Sequence, residues 1–396
     1  MSKTGHLESL RLRLMRSLTY KNVCYLLLAT ILIIYTAETV YYFGHINAYV
    51  GDEVWYATAS YNILKVVFHV NPPQLFPYPS TISQAGFNAS TYIDAIRPPL
   101  GKYLMAIPIA LLGYAPYVWR ISSWAMGDAL IIVAFLLGST LYRKNRPFGG
   151  LAAALLVALD PVIWAMHGIG MLDIYASFFI LLTFYFIAKK NRTAAAISLG
   201  LAFASKETSY LLVVPFVYFM WQFVGKNAST IKKLFSVSIN LLETIATVVI
   251  AYLPIIYVQG GFVQWFEYTI VGQLHTDTHG GHIASTAVYQ ISNPLGWFIN
   301  FHPFYLGSTV IANSNAIILS AAAVLTVVML LKKKYNLVRI AAWAWTVWFM
   351  FVIAFALGNN TVFSFYTADF SSTLDVFVAI TLLFIYEKFH SGVLQN

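Results

Sequence analysis

The stretch Arg97-Pro98-Pro99-Leu100-Gly101-Lys102-Tyr103-Leu104-Met105-Ala106-Ile107-Pro108-Ile109-Ala110-Leu111-Leu112-Gly113 decides the reading of this chain. It is apolar but short, and Pro108 interrupts it. Ten further apolar runs flank it, at about 23–43, 117–142, 148–166, 170–188, 193–205, 208–224, 236–258, 305–331, 338–357 and 373–387. Each is a candidate membrane span. If residues 100–115 also crossed, every later loop would change sides. If they do not, one side holds all but five of the 24 Lys and Arg residues, and only Lys65, Arg97, Lys102, Arg120 and Lys206 lie opposite. Cytoplasmic loops collect basic residues. Apolar runs of 10–14 residues are often interfacial or re-entrant. The stretch is therefore expected at the outer membrane surface.

Composition supports this. Of 396 residues, 59% are hydrophobic and 10% charged, with mean hydropathy +0.70. Soluble domains carry about 25% charged residues, so a soluble fold is excluded. The net charge of +9 could suggest nucleic acid. Its bases fall in short runs between apolar stretches, which is a topology signal, and no nucleic-acid partner is expected. The single cysteine, Cys24, excludes an intramolecular disulfide and a cysteine-cluster metal site. The basic start followed by residues 23–43, with no small-x-small cleavage site, reads as a retained helix with a cytoplasmic N-terminus. The expectation is an all-α polytopic membrane protein of about 10–11 transmembrane helices. Juxtamembrane helices lie in its first long outer loop. One integrated domain, 1–396, is expected: a core 1–258 of about seven spans with outer loop 44–99, a second outer loop 259–304, and C-terminal spans 305–396.

Most acids and histidines fall on the outer side. Asp52 and Glu53 follow the first span. Adjacent carboxylates at a membrane surface are costly to desolvate without a task or partner. One could be a general base; the pair could equally be a solvated loop start or a helix cap. Arg97 and Lys102 flank a helix start behind Pro98-Pro99, an arrangement suited to phosphate or to interface anchoring. Asp173 opens a span, and Lys206-Glu207 form a turn between two spans. Asp160, before Pro161, reads as a helix break. Asp128, inside a span, is expected to pair with Arg120 or stay neutral. His275, Asp277, His279 and His282 could ligate zinc. Their spacing is not the helical His-x-x-x-His type, and Gly280-Gly281 favour an irregular loop, so hydrogen bonding to substrate is expected instead.

The ordered set of motifs resembles the protein O-mannosyltransferase family of GT-C membrane glycosyltransferases. Its elements are Asp52-Glu53; Pro98 to Lys102; Gly113-Tyr114-Ala115-Pro116 with Trp119-Arg120; and Leu159-Asp160-Pro161. Met171-Leu172-Asp173, Ser205-Lys206, and His275 to His282 followed by Asn293-Pro294-Leu295-Gly296-Trp297 complete it. The resemblance covers roughly residues 20–300. Arg97 stands where many members carry His, and the large lumenal domain of eukaryotic members is absent.

The resemblance implies a GT-C fold and an inverting transfer of a sugar, mannose first, from a polyprenyl phosphate such as dolichyl phosphate. The acceptor would be a protein Ser/Thr hydroxyl, with a lipid-linked or surface glycan as the alternative. The reaction would take place on the extracytoplasmic face of the cell membrane. It places the base at Asp52, with Glu53 orienting the acceptor or supporting the loop and Asp173 as the second carboxylate. Arg97, Lys102 and Lys206 would meet the donor phosphate. Glu207, His275 and His282 would contact sugar or acceptor. No resident cofactor is firmly implied; a divalent cation stays open, as does the oligomeric state. A transporter would place ionisable groups at the midplane, often in paired repeats, and neither pattern is present. A scaffold would have little reason to gather these charges on one side.

Overall fold

The computed structural model describes residues 19–225, 227–272, 291–306, 310–358 and 362–393, with side chains to 388. All ten flanking apolar runs are helical in whole or part. The first is α1 (Tyr20–Gly44), started by Thr19, whose side chain accepts from the Asn22 amide at 3.4 Å. Three helices of the first loop follow: α2 (Glu53–Val66), α3 (Ser80–Gln84) and α4 (Leu100–Leu112). Then come α5 (Pro116–Leu141), α6 (Arg146–Ala158), α7 (Pro161–Gly168), α8 (Asp173–Ala188) and α9 (Arg192–Ser205). A 3₁₀ turn, Glu207–Leu212, leads into α10 (Val213–Phe223) and α11 (Thr230–Val258). The four-residue α12 (Phe262–Trp265) runs on as a π-helical turn. The chain ends with α13 (Ala316–Leu331), α14 (Tyr335–Ala356) and α15 (Ala368–Val393).

Among the described residues, five helices are long and apolar enough to cross a membrane alone: α1, α5, α11, α14 and α15, the last counted from Ser364. The bent pair α6–α7 passes the same test taken together, which gives up to six. Its 68° bend follows from Asp160-Pro161. Proline removes an amide donor. Asp160 Oδ1 accepts from the Val162 amide at 2.9 Å and restarts the helix. Helix α4, with Pro108 inside it, has 13 residues. At 1.5 Å per residue that is about 20 Å, short of the roughly 30 Å hydrocarbon core. It packs on α2, α5 and α9 instead.

The run expected as a span from residue 305 begins differently. Phe304–Leu306 and Val310–Ala312 pair as antiparallel strands β1 and β2, and Asn315 caps α13 with its side chain on the Ile318 amide. An Asn-Ser-Asn sequence at 313–315 competes for backbone groups and stops the helix from starting earlier.

Burial separates the helices into two kinds. In α1 and α11 only 22% of the spanning window is buried, so most of each faces lipid; in α15 it is 78%. Helix α15 therefore runs through the protein, packed on α6, α8, α13 and α14. Helices α5 and α6 approach closely because a side chain on Gly138 would meet the Gly149 carbonyl at 2.4 Å.

Candidate active site

The turn that carries Asp52 and Glu53 is fixed from below by one ion pair. Glu53 and Arg120 are both fully buried. Arg120 Nε and Nη2 donate to the two Glu53 oxygens at 2.7 and 2.6 Å. Its remaining protons go to the carbonyls of Phe43, Ile46 and Ala48 at 2.7–2.9 Å. Glu53 also accepts from the amides of Val50 at 2.9 Å and Gly170 at 2.7 Å. The guanidinium thus gathers the end of α1, the first loop and the start of α2, and the carboxylate reaches across to the loop before α8. Gly51 makes the turn tight. Its φ is +56°, and a Cβ there would lie 2.4 Å from Leu306.

Asp52 caps α2 by position, but its side chain makes no capping hydrogen bond. It is half-buried. Burial pushes its carboxyl above the usual range. Arg97 pulls it back, Asp173 adds to the rise, and Lys206 and Asp94 act in opposite senses. These five residues come from four separate segments, so the fold brings them together.

Around Asp52 the cations are paired. Arg97 bonds Glu207, with side-chain exposures of 33% and 11%. Burial alone would raise the Glu207 carboxyl, but Arg97 and Lys206 hold it below its usual range. Lys206 bonds Asp173 and lies 4.4 Å from the Tyr366 ring centroid and 5.1 Å from that of Phe365. Burial works against its charge, yet the Asp173 and Asp369 carboxyls keep its ammonium above the ordinary lysine range.

Lys102, expected at the donor phosphate, is enclosed by the protein. Its ammonium is 1% exposed and donates to the carbonyls of Asp94 and Arg97, with the Asp94 carboxyl at 3.4 Å. A lysine so enclosed braces the loop that presents Arg97. Of the two expectations for Asp128, the pairing with Arg120 is not made. Asp128 accepts from Thr36 at 2.7 Å, because Arg120 is fully used by Glu53 and backbone carbonyls. Glu53 gives both its oxygens to Arg120 and to the Val50 and Gly170 amides. Glu207 keeps one buried oxygen, Oε2, without a partner. His275 and His282 lie outside the described residues.

Asp369, in the first turn of α15, was not singled out from the sequence. It is fully buried and acts electrostatically on Lys206. Its signal is an acid with Ser371, Ser372 and Thr373 opening an apolar run. Asp94 also lines a 290 Å³ hollow, with Phe87, Asn88, Tyr92, Gln259 and Tyr268. The buried Gln259 Oε1 has no partner. No three His, Cys, Asp or Glu side chains among the described residues converge on a metal position.

Residues 96–257 match the dolichyl-phosphate-mannose-protein mannosyltransferase family. No curated protein sequence matches the chain. Among solved structures, the chain is similar to ArnT from Cupriavidus metallidurans bound to undecaprenyl phosphate. The TM-score is 0.57 at 12% identity, over 92% of this chain and 60% of that one. It is also similar to the oligosaccharyltransferase AglB from Archaeoglobus fulgidus in complex with an inhibitory peptide and a dolichol-phosphate. There the TM-score is 0.52 at 14% identity, over 93% of this chain and 51% of that one. The chain thus spans about half to three-fifths of the length of these neighbours. It is a multi-span membrane protein of GT-C fold whose residues 96–257 match the dolichyl-phosphate-mannose-protein mannosyltransferase family.

Proposed function

We propose that the chain transfers a sugar, mannose, from a polyprenyl phosphate to a hydroxyl acceptor, a protein Ser or Thr, with inversion at the anomeric carbon. One observation carries the reading. Among the described carboxyls of the cluster, Asp52 alone is both open to the surface and free of an ion-pair or hydrogen-bond partner. Glu53, Asp94, Asp173 and Glu207 each face a cation, and Asp369 is fully buried.

The chemistry needs one base. Asp52 removes the acceptor proton as the acceptor oxygen bonds to the anomeric carbon. The bond from that carbon to the phosphate oxygen breaks on the opposite face. The leaving group is a phosphate monoester and departs without protonation. Glycosidases need a second, acidic carboxyl because their leaving group is a poor alcohol. Arg97, the most accessible cation of the cluster, meets the leaving phosphate with the guanidinium protons not given to Glu207. Lys206 adds its field from beneath, and Asp173 and Glu207 hold the two cations in place.

The reading draws support from the family match, whose name specifies donor and acceptor, and from lipid phosphates bound in two neighbours of the same fold. The basic loops at the opposite end support an extracytoplasmic site in the cell membrane. The test is release of polyprenyl phosphate from labelled dolichyl-phosphate mannose by the purified protein, with and without a Ser/Thr peptide. Peptide-dependent release supports the reading; no release under any acceptor overturns it.

A further inference from the structure

The end of the molecule away from Asp52 has the opposite charge pattern. Helix α8 runs 16 residues from Asp173 to Ala188, and α9 returns from Arg192 to Ser205. At 1.5 Å per residue, Lys189, Lys190 and Arg192 lie about 24 Å from the candidate active site. Two hollows open there and share Lys190. One, of 430 Å³, is lined by Leu136, Arg143, Arg146, Tyr185, Lys189 and Lys190. The other, of 480 Å³, is lined by Lys190, Arg192, Phe223, Lys232, Phe235 and Ile239.

At the active-site end, Arg97, Lys102, Arg120 and Lys206 each have a carboxylate partner. Among the described residues, none of Arg143, Arg146, Lys189, Lys190, Arg192 and Lys232 has one. The nearby acids are engaged elsewhere. Glu387 pairs with Lys144 at 3.4 Å, and Glu243 accepts from Thr193 and Asn240 at 3.0 and 2.9 Å. Arg192 donates only to the Ser236 hydroxyl, and Lys189 lies 5.9 Å from the Tyr185 ring centroid. Among the described residues, no acid supplies their counter-charge.

The walls say what carries it. Leu136, Phe235 and Ile239 are 39%, 68% and 41% exposed. They sit on helices built to meet acyl chains. An occupant that satisfies both parts is anionic at one end and apolar at the other. Free phosphate and nucleic acid answer only the charge. The capped helix starts at Asn145, Asn191 and Ser229 point backbone amides to the same end.

We propose that these two hollows bind the headgroups of anionic phospholipids in the leaflet opposite the active site, with Lys190 shared between them. Basic recesses between membrane helices are suited to such headgroups. The site is independent of the reaction proposed above.

The experiment uses the full chain in neutral detergent with equimolar phosphatidylglycerol and phosphatidylcholine, and native mass spectrometry to count retained lipid. Wild type should retain phosphatidylglycerol in clear excess, and millimolar inorganic phosphate should not displace it. A triple variant, Arg143→Gln with Lys190→Gln and Arg192→Gln, should bind it about 100-fold more weakly, at about fivefold per neutralised base. Lys332→Gln, Lys333→Gln and Lys334→Gln together remove the same charge from another loop and should retain it. Equal retention of the two lipids by wild type overturns the proposal. So does equal loss in both triple variants, which reports surface charge alone. Displacement by inorganic phosphate also overturns it, because the site would then be a simple anion site. If the first triple variant does not fold, Lys190→Gln alone must lower phosphatidylglycerol retention.

Discussion

Replacing Glu53 by Gln tests whether this carboxylate supports the site or reacts in it. In the structure its two oxygens accept four hydrogen bonds, two from Arg120 at 2.6 and 2.7 Å and two from backbone amides at 2.7 and 2.9 Å. All four neighbours are donors. Glutamine would offer one acceptor and one donor, so an amide N–H would face donors. Arg120 would keep its full charge at zero exposure. Removing one partner of a buried pair costs about 3–5 kcal/mol. Total stabilities are about 5–15 kcal/mol, so this loss is severe. Glu53→Gln should therefore lower the thermal unfolding midpoint in detergent by several degrees and speed proteolysis of the loop after α1. Asp52→Asn, one residue away and without a side-chain hydrogen bond, should leave both unchanged. If Glu53→Gln kept the wild-type midpoint but abolished transfer, the supporting role would be refuted and Glu53 would be a reacting group.

Three further outcomes follow from the same geometry. Burial and Asp173 raise the Asp52 carboxyl, and a base must be ionised. Transfer should therefore fall with decreasing pH along an acid limb above the ordinary aspartate value of about 3.9, read from single-turnover rates against pH. Arg97→Ala removes the charge that pulls Asp52 down, so its acid limb should move to higher pH. Its donor affinity should fall about 10-fold to 150-fold, the range for a lost charge-assisted contact; donor titration measures this. A cysteine at position 145, with Cys24 replaced, should resist an impermeant thiol reagent applied from the active-site side, whereas one in the loop between α3 and α4 should react.

The architecture was largely legible because membrane spans and their breaks are local. Apolar runs marked the helices, Asp160-Pro161 marked the bend, and Pro108 with the basic loops set α4 aside from the spans. The candidate residues could be picked out singly from the sequence, but their pairings could not. Glu53 meets Arg120 from 67 positions away, and Arg97 meets Glu207 from 110. No periodicity encodes such contacts. Lys102 read as an exposed cation because it follows a proline-bounded helix start, yet α4 packs so closely on its neighbours that the ammonium is enclosed. Asp369 was hidden because its Ser/Thr-rich surroundings read as a loop before the last span. In the structure α15 already begins at Ala368.

The central claim is that Asp52 is the base, and single-turnover glycosyl transfer at saturating donor tests it most directly. Asp52→Asn keeps the shape of the side chain and removes its basicity. Loss of a general base costs about 10²–10⁴ in rate, so this variant should bind donor normally, unfold at the wild-type temperature and transfer at least about 100-fold more slowly. Near-wild-type transfer by Asp52→Asn, with transfer abolished in a folded Asp173→Asn variant, would contradict the assignment.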